Sequence, residues 1–199
     1  MNKYVVAISG ASGVIIGIKL IKELIKNSEV HIIISKEGLS IIKSEVGLDW
    51  RNDKNRRIKK YFNCDNLVCY DNDDFYAPVA SGSFLTSGMF VVPCSVKTLS
   101  AISNGYGQSL IERAADVTIK EGRKLLLSPR EMPFSAIHLE NMLKLARLGV
   151  VIAPAVPAFY HNPQSLDDII FFMCGKMLDS FGIQNNLFKR WMEGSQNQR

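Results

Sequence analysis

The sequence predicts an α/β protein: a single doubly wound, Rossmann-like (flavodoxin-like) parallel sheet with helices on both faces. Three observations carry that reading. Short apolar runs at 4–8 and 30–34 alternate with segments whose apolar residues recur at helical spacing. The runs lack the polar alternation of half-exposed strands, as expected where both faces are covered. The 199 residues, 47% hydrophobic and 22% charged, suffice for one ordinary domain whose core needs no disulfide staples.

Each element follows in order. Tyr4-Val5-Val6-Ala7-Ile8 is a strand that ends at Ser9-Gly10-Ala11-Ser12-Gly13. Ile15, Ile18, Ile21, Leu24 and Ile25 then mark one helix face, with Lys19, Lys22, Glu23 and Lys26 on the other. Asn27-Ser28 stops that helix, and Val30 to Ile34 is a second strand, ending at Ser35. A helical pattern continues through Leu39, Ile42 and Val46. Residues 49–66 are polar and irregular and read as an insertion. Leu67 to Tyr70 is a short third strand. Met89 to Pro93 is the clearest later strand and leads into a helix from Ser95. Leu110 to Lys120 is a helix, Lys124 to Leu127 a strand, Ile137 to Leu148 a helix and Val150 to Ala153 a strand. Asp167 to Phe181 closes as a helix capped near Gly182, leaving 183–199 as a C-terminal tail. No repeat or linker divides the chain, so 1–199 is expected to be one domain.

Composition removes several functional classes. The longest apolar stretches, such as Leu148 to Val156, fall far short of the ~20 residues of a membrane span. Met1-Asn2-Lys3-Tyr4 runs into the first strand with no signal-peptide cleavage site, so a soluble cytoplasmic protein with no membrane partner is expected. Cys64, Cys69, Cys94 and Cys174 form no CxxC pair, and His31, His138 and His161 lack ligand spacing, so no metal is expected. The net charge is +5, part of it in the run Arg51 to Lys60. That run carries no recognised nucleic-acid motif and is followed by Asp71-Asn72-Asp73-Asp74, so it reads as a solvated face. The remaining positive excess suits a small anionic substrate.

In such sheets, ligands sit beyond the carboxyl ends of the strands. Gly10-Ala11-Ser12-Gly13 opens a helix whose first amides can take a phosphate, with Ser9 and Ser12 as extra donors; a tight turn is the alternative. The loop is neither GxGxxG nor a Walker loop. Ser35-Lys36 stands where an NAD site would carry an acid, which leaves NADP or FMN open. Pro78 to Ser83 and Pro93 to Thr98 are rich in small residues and hydroxyls. Arg113, Asp116 and Lys120 fall on one face of their helix, with Leu110, Ala114, Val117 and Ile119 toward the sheet. Arg130-Glu131, between Pro129 and Pro133, offers a fork for phosphate and a carboxyl that can hold a proton. His138 is expected to hydrogen-bond within the fold. Phe159 and Tyr160 are either core plugs or a lid.

Together, SGASG (9–13), ISK (34–36), APVASGSF (77–84), VPCSVKTLSAISNG (92–105), the long block from Leu110 to Leu145 containing PREMPFSAIHLENM, and PAVPAFYHNPQSLDD (154–168) resemble the UbiX-type flavin prenyltransferases. These are a branch of the flavoprotein family that also holds peptidyl-cysteine decarboxylases. The resemblance implies transfer of a dimethylallyl group from dimethylallyl phosphate to N5 and C6 of reduced FMN, with no metal. It also implies a homo-oligomer, commonly a dodecamer, and hand-over of the product to a UbiD-type decarboxylase. By the same resemblance, Gly10, Ala11, Ser12, Gly13, Ser35, Ser95, Thr98 and Arg113 hold FMN. Ala80 and Ser81 border the prenyl group, while Lys120, Arg130, Glu131, Tyr160 and Lys176 grip the phosphate. Glu45 assists proton movement, and the catalytic set is Glu45, Lys120, Glu131 and Tyr160. The alternative, an FMN-dependent cysteine decarboxylase, lacks its PASANT and PxMNxxMW motifs here. The chain departs from the resemblance at Lys176, where most relatives carry Arg, at Phe75 in place of Trp, and at Glu121-Gly122-Arg123.

Overall fold

The computed structural model describes residues 1–191. Within them, β1 (Asn2–Ile8), β2 (Ser28–Ile34), β3 (Leu67–Tyr70), β4 (Gly88–Cys94), β5 (Leu125–Pro129) and β6 (Val151–Ile152) make one sheet. Its order is β3-β2-β1-β4-β5-β6, and every pairing is parallel. The helices are α1 (Val14–Leu24), α2 (Lys36–Val46), α3 (Lys54–Phe62), α4 (Val96–Ser103), α5 (Leu110–Lys120), α6 (Ala136–Arg147) and α7 (Leu166–Ser180). Strand order reverses between β1 and β4, which places the ligand crevice of such a sheet at their carboxyl ends.

Strand alternation builds two cores. Val6, Ile8, Ile32, Ile34, Phe90 and Val92 point to one layer, where α1, α2, α3 and α7 contribute Ile18, Ile42, Ile58 and Cys174. Val5, Ala7, Ile33, Met89, Val91 and Leu127 point to the other, under Leu99 of α4, Ala114 of α5 and Leu145 of α6. Both faces are therefore apolar, as the unbroken runs require. On α5, Leu110, Ala114 and Val117 are buried and Ile119 half-buried, facing the sheet as expected.

Serine hydroxyls open five of the helices: Ser35, Ser95, Ser109, Ser135 and Ser165 each accept from a first-turn amide. At α6 the reciprocal partner is His138, whose Nδ1 accepts from the Ser135 amide at 3.2 Å, so this histidine serves the fold as expected. The insertion at 49–66 is not irregular throughout. Its centre is the helix α3, in which Ile58 is the buried residue. A single apolar anchor among cations leaves no periodic signal to read. The helix is fixed instead by Lys54, which donates to the Tyr70 carbonyl at 2.8 Å, and by the Asn55 side chain, which accepts from the Cys69 amide.

Candidate active site

Three strand ends are tied together at the switch point. The Ser9 hydroxyl donates to the Pro93 carbonyl at 3.0 Å and accepts from the Ser95 amide at 2.8 Å. The Ser35 amide donates to the Ile8 carbonyl at 3.0 Å, and the Arg130 amide to the Cys94 carbonyl at 3.1 Å. The N-termini of α1, α2 and α4 thus converge on one crevice, with Gly10, Gly13, Ser35, Ser95, Thr98 and Arg130 around it. Ser95 Oγ donates to Thr98 Oγ1 at 3.0 Å, so this hydroxyl pair is oriented before any ligand arrives. Gly10 is required by its neighbour, since a Cβ there would lie 2.6 Å from Cβ of Glu37. Glu37 is held below the ordinary carboxyl range by its own backbone N–H, then by the Ser35 hydroxyl and the charges of Lys97 and Lys36.

The first loop does bind an anion, but the anion belongs to the chain. Glu45 Oε2 accepts from the amide of Gly13 at 3.0 Å and from that of Val14 at 3.4 Å. A carboxylate from the last turns of α2 therefore satisfies the open amides of α1, where an incoming phosphate was expected. Ala11 is buried beneath this loop and Ser12 is exposed on it. Removing the carboxylate in Glu45→Ala should lower stability by about 1 kcal/mol, the usual cost of a lost N-terminal cap. An unchanged midpoint in a urea titration would show that the contact contributes nothing.

A second group lies along α5. Arg113 Nε donates to the Ala80 carbonyl at 3.1 Å, and its Nη1 pairs with Asp116 at 2.9 Å. Arg123 donates to the carbonyls of Gly82 and Phe84, so the segment carrying Ala80 and Ser81 is pinned at both ends. Lys120 does not join the Arg113–Asp116 pair; it pairs with Glu121. Seven residues of helix put it about 10 Å further along the axis. The third group, Tyr160 and Lys176, belongs to the opposite layer with α7. Tyr160 is exposed and meets Phe172 and Trp191 edge-on at 5.7 and 5.2 Å, so it is not a core plug. Lys176 is exposed. Among the described residues, no hydrogen bond or ion pair joins Tyr160 or Lys176 to Lys120, Arg130 or Glu131. Glu131 is half-buried, and its Oε1 accepts from the Met132 amide at 3.1 Å.

Sequence reasoning missed Arg123 and Gly17. Gly17 lies on α1 where it crosses β4, and a Cβ there would fall 2.2 Å from the Val92 carbonyl oxygen. The spacing Gly10, Gly13, Gly17 was the available signal, because close helix–strand packing needs a glycine a turn beyond the loop. Three of the four cysteines are poor nucleophiles. Burial pushes the Cys69 and Cys174 thiols up to about 12, and Cys94, at the crevice floor, higher still. Among the described residues, no group of three or more His, Cys, Asp or Glu side chains is placed to hold a metal. No helix among them is long and apolar enough to cross a membrane.

Comparison with known proteins decides the family. A model of the flavoprotein family matches residues 1–186. The flavin prenyltransferase UbiX of Methanocaldococcus jannaschii is 51% identical over 189 residues, covering 95% of this chain and 98% of its own. The chain belongs to the UbiX branch of the flavoprotein family. Among solved structures, AnUbiX (PadA1) in complex with FMN and dimethylallyl pyrophosphate superposes with a TM-score of 0.87 at 44% identity, covering 96% of this chain and 98% of that one. The dodecameric FMN-dependent UbiX-like decarboxylase of Escherichia coli O157:H7 gives 0.86 at 42%, covering 96% and 100%.

The crevice of this UbiX-family chain fits FMN by its donor set. Hydroxyls at Ser35, Ser95 and Thr98, the first amides of α2 and α4 and the exposed Arg130 suit a phosphate-bearing planar group, while the buried Ser9 hydroxyl is spent on Pro93 and Ser95. Gly10, half-buried, lets a ring approach the backbone, whereas Ala11 is buried under the loop.

Proposed function

We propose that this chain joins the dimethylallyl group of dimethylallyl phosphate to N5 and C6 of reduced FMN. The observation that carries the reading is near-complete, 51% identity to a flavin prenyltransferase, combined with the presence of Lys120, Arg130, Glu131 and Tyr160. Reduced flavin supplies the nucleophilic nitrogen and ring carbon; the chain's own work lies at the phosphate. Lys120, Arg130 and Lys176 balance the charge that grows on the departing phosphate. Glu131 exchanges a proton with a phosphate oxygen. The Tyr160 face favours the allylic cation and helps to keep water from it. Glu45, released from the α1 amides, takes up the proton that the acceptor loses.

Lys120 lies with α5 on one layer of the sheet, and Tyr160 and Lys176 lie with α7 on the other. In this reading neighbouring subunits complete each pocket, in a homo-oligomer like the dodecamer of the Escherichia coli relative. The product passes to a UbiD-type decarboxylase, in the cytoplasm, a reducing compartment that the four free thiols suit.

The test is anaerobic incubation with reduced FMN and dimethylallyl phosphate, followed by mass analysis of the flavin. A five-carbon adduct is expected, and none should form with oxidised FMN. Unmodified reduced flavin would overturn the reading. Lys176 gives a graded check. Lys176→Arg should bind dimethylallyl phosphate as well as or better than wild type, since the charge stays and a planar fork is gained. Lys176→Met should bind it more weakly by about 1–2 kcal/mol, on the scale of a charge-assisted hydrogen bond. FMN affinity should hold across the series, and unaltered substrate dependence in the Met variant would remove Lys176 from the site.

A further inference from the structure

The three histidines differ in how their nitrogens are satisfied. His138 accepts at Nδ1 from the Ser135 amide. His31 is buried, but its Nδ1 lies 2.9 Å from the Tyr70 hydroxyl and its Nε2 2.9 Å from a Glu29 carboxylate oxygen. His161 has neither. Both of its ring nitrogens are shut off from solvent, and no protein atom hydrogen-bonds to either. Its ring stacks on Phe172 at 5.0 Å and 10° and meets Tyr160 at 5.7 Å. A phenyl ring would fill the same stacked position with no desolvation penalty, so packing alone gives no reason for a histidine.

The surroundings supply one. Phe172, beneath the imidazole, stands one turn before Lys176 on the same face of α7. Tyr160 is the preceding residue in the chain. His161 thus touches one of the groups assigned to the substrate phosphate, Tyr160, and stacks on a residue one helical turn from another, Lys176. The loop around His161 is fixed at both ends, by the Ala153 amide donating to the Leu127 carbonyl and by the start of α7, and its exposed part lies between them. The Asp168 carboxylate accepts from the amides of Gln164 and Ser165, while Val156, Phe159 and Tyr160 are exposed, and Asn162 sits in the left-handed region at φ 54°.

We propose that His161 is a further hydrogen-bonding group of the phosphate grip, unpaired in the free chain. It donates a ring N–H to a phosphate oxygen when residues 159–163 close on the substrate. This rests on the proposed function above. In the free chain the orphaned nitrogens disfavour the open loop, and substrate binding relieves that cost, so the loop is biased toward closure. Stability is given up at this position for affinity.

The test compares wild type, His161→Phe and His161→Asn. Calorimetry measures binding of dimethylallyl phosphate and, separately, of inorganic phosphate. Thermal unfolding and light scattering are followed on the same samples. His161→Phe should melt at the wild-type temperature or above it, keep its FMN affinity and oligomeric mass, and bind both ligands about tenfold more weakly. His161→Asn, which keeps a donor, should recover part of the affinity without any gain in melting temperature. Weakening toward dimethylallyl phosphate alone would overturn the phosphate contact and leave a contact to the prenyl chain. Wild-type affinity in His161→Phe would overturn the inference outright, as would a lower melting temperature or a changed mass, which would make the imidazole a fold or subunit contact. A wild-type protein that fails to prenylate reduced FMN would instead remove the proposed function.

Discussion

Gly17→Ala is expected to lower stability by up to about 2 kcal/mol and to reduce FMN retention, although alanine is the better helix former. Two terms oppose each other. Alanine in a helix interior gains about 0.8–1.0 kcal/mol over glycine. Against that, the new Cβ would meet the Val92 carbonyl oxygen at 2.2 Å and Ile8 Cγ1 at 3.2 Å. The nearer obstacle is β4 backbone, which cannot rotate away, so α1 must lift from the sheet. Overpacking of this kind costs about 1–3 kcal/mol and sometimes more, and lifting α1 also loosens the buried contacts of Ile18 and Ile21. The expected net loss corresponds to a melting point lower by about 2–4 °C per kcal/mol for a chain of this size. The functional effect follows from direction: the N-terminus of α1 forms one wall of the β1–β4 crevice. Gly175→Ala is the control. Its Cβ would meet Phe188 at 2.5 Å, but through a side chain that can turn aside, so the loss should be smaller. A Gly17→Ala protein that melts at or above wild type would show that α1 has room to spare.

Glu131→Gln should lower the rate of prenyl transfer by roughly 10²–10⁴, the range that a general acid or base contributes, while the fold and FMN binding stay intact. The local structure makes this a clean substitution. Glu131 Oε1 accepts one hydrogen bond, from the Met132 amide, and a glutamine carbonyl can accept the same bond. What glutamine cannot do is exchange a proton with phosphate. Arg130 beside it stays in place, so phosphate affinity should change little and the loss should fall in kcat rather than KM. Near-wild-type turnover would assign Glu131 to the shape of the loop alone.

The strand ends were legible before any coordinates. Unbroken apolar runs specify strands covered on both faces, and helical spacing specifies what covers them. That is why α5 begins and ends where the sequence placed it, and why Ser9, Ser35, Ser95 and Arg130 emerge on one edge. The capping serines came from the structure, although each acts within one turn of the chain. The helix α3 was not legible, because Lys54 and Asn55 hold it through contacts to β3 rather than through a periodic apolar face.

Tertiary structure decided what local chemistry leaves open. The sequence by itself determined a parallel α/β sheet, an anion-seeking first loop and the family of the chain. Only packing placed the Glu45 carboxylate, 32 residues away in the chain, on the Gly13 amide, because an open helix terminus takes the nearest anion in space, not in sequence. Only packing made Gly17 indispensable, since the obstacle is the backbone of another strand. It also divided the predicted phosphate ligands between the two faces of the sheet. Lys120 lies on the α5 side and Tyr160 and Lys176 on the α7 side, because each helix's apolar stripe fixes which face it covers.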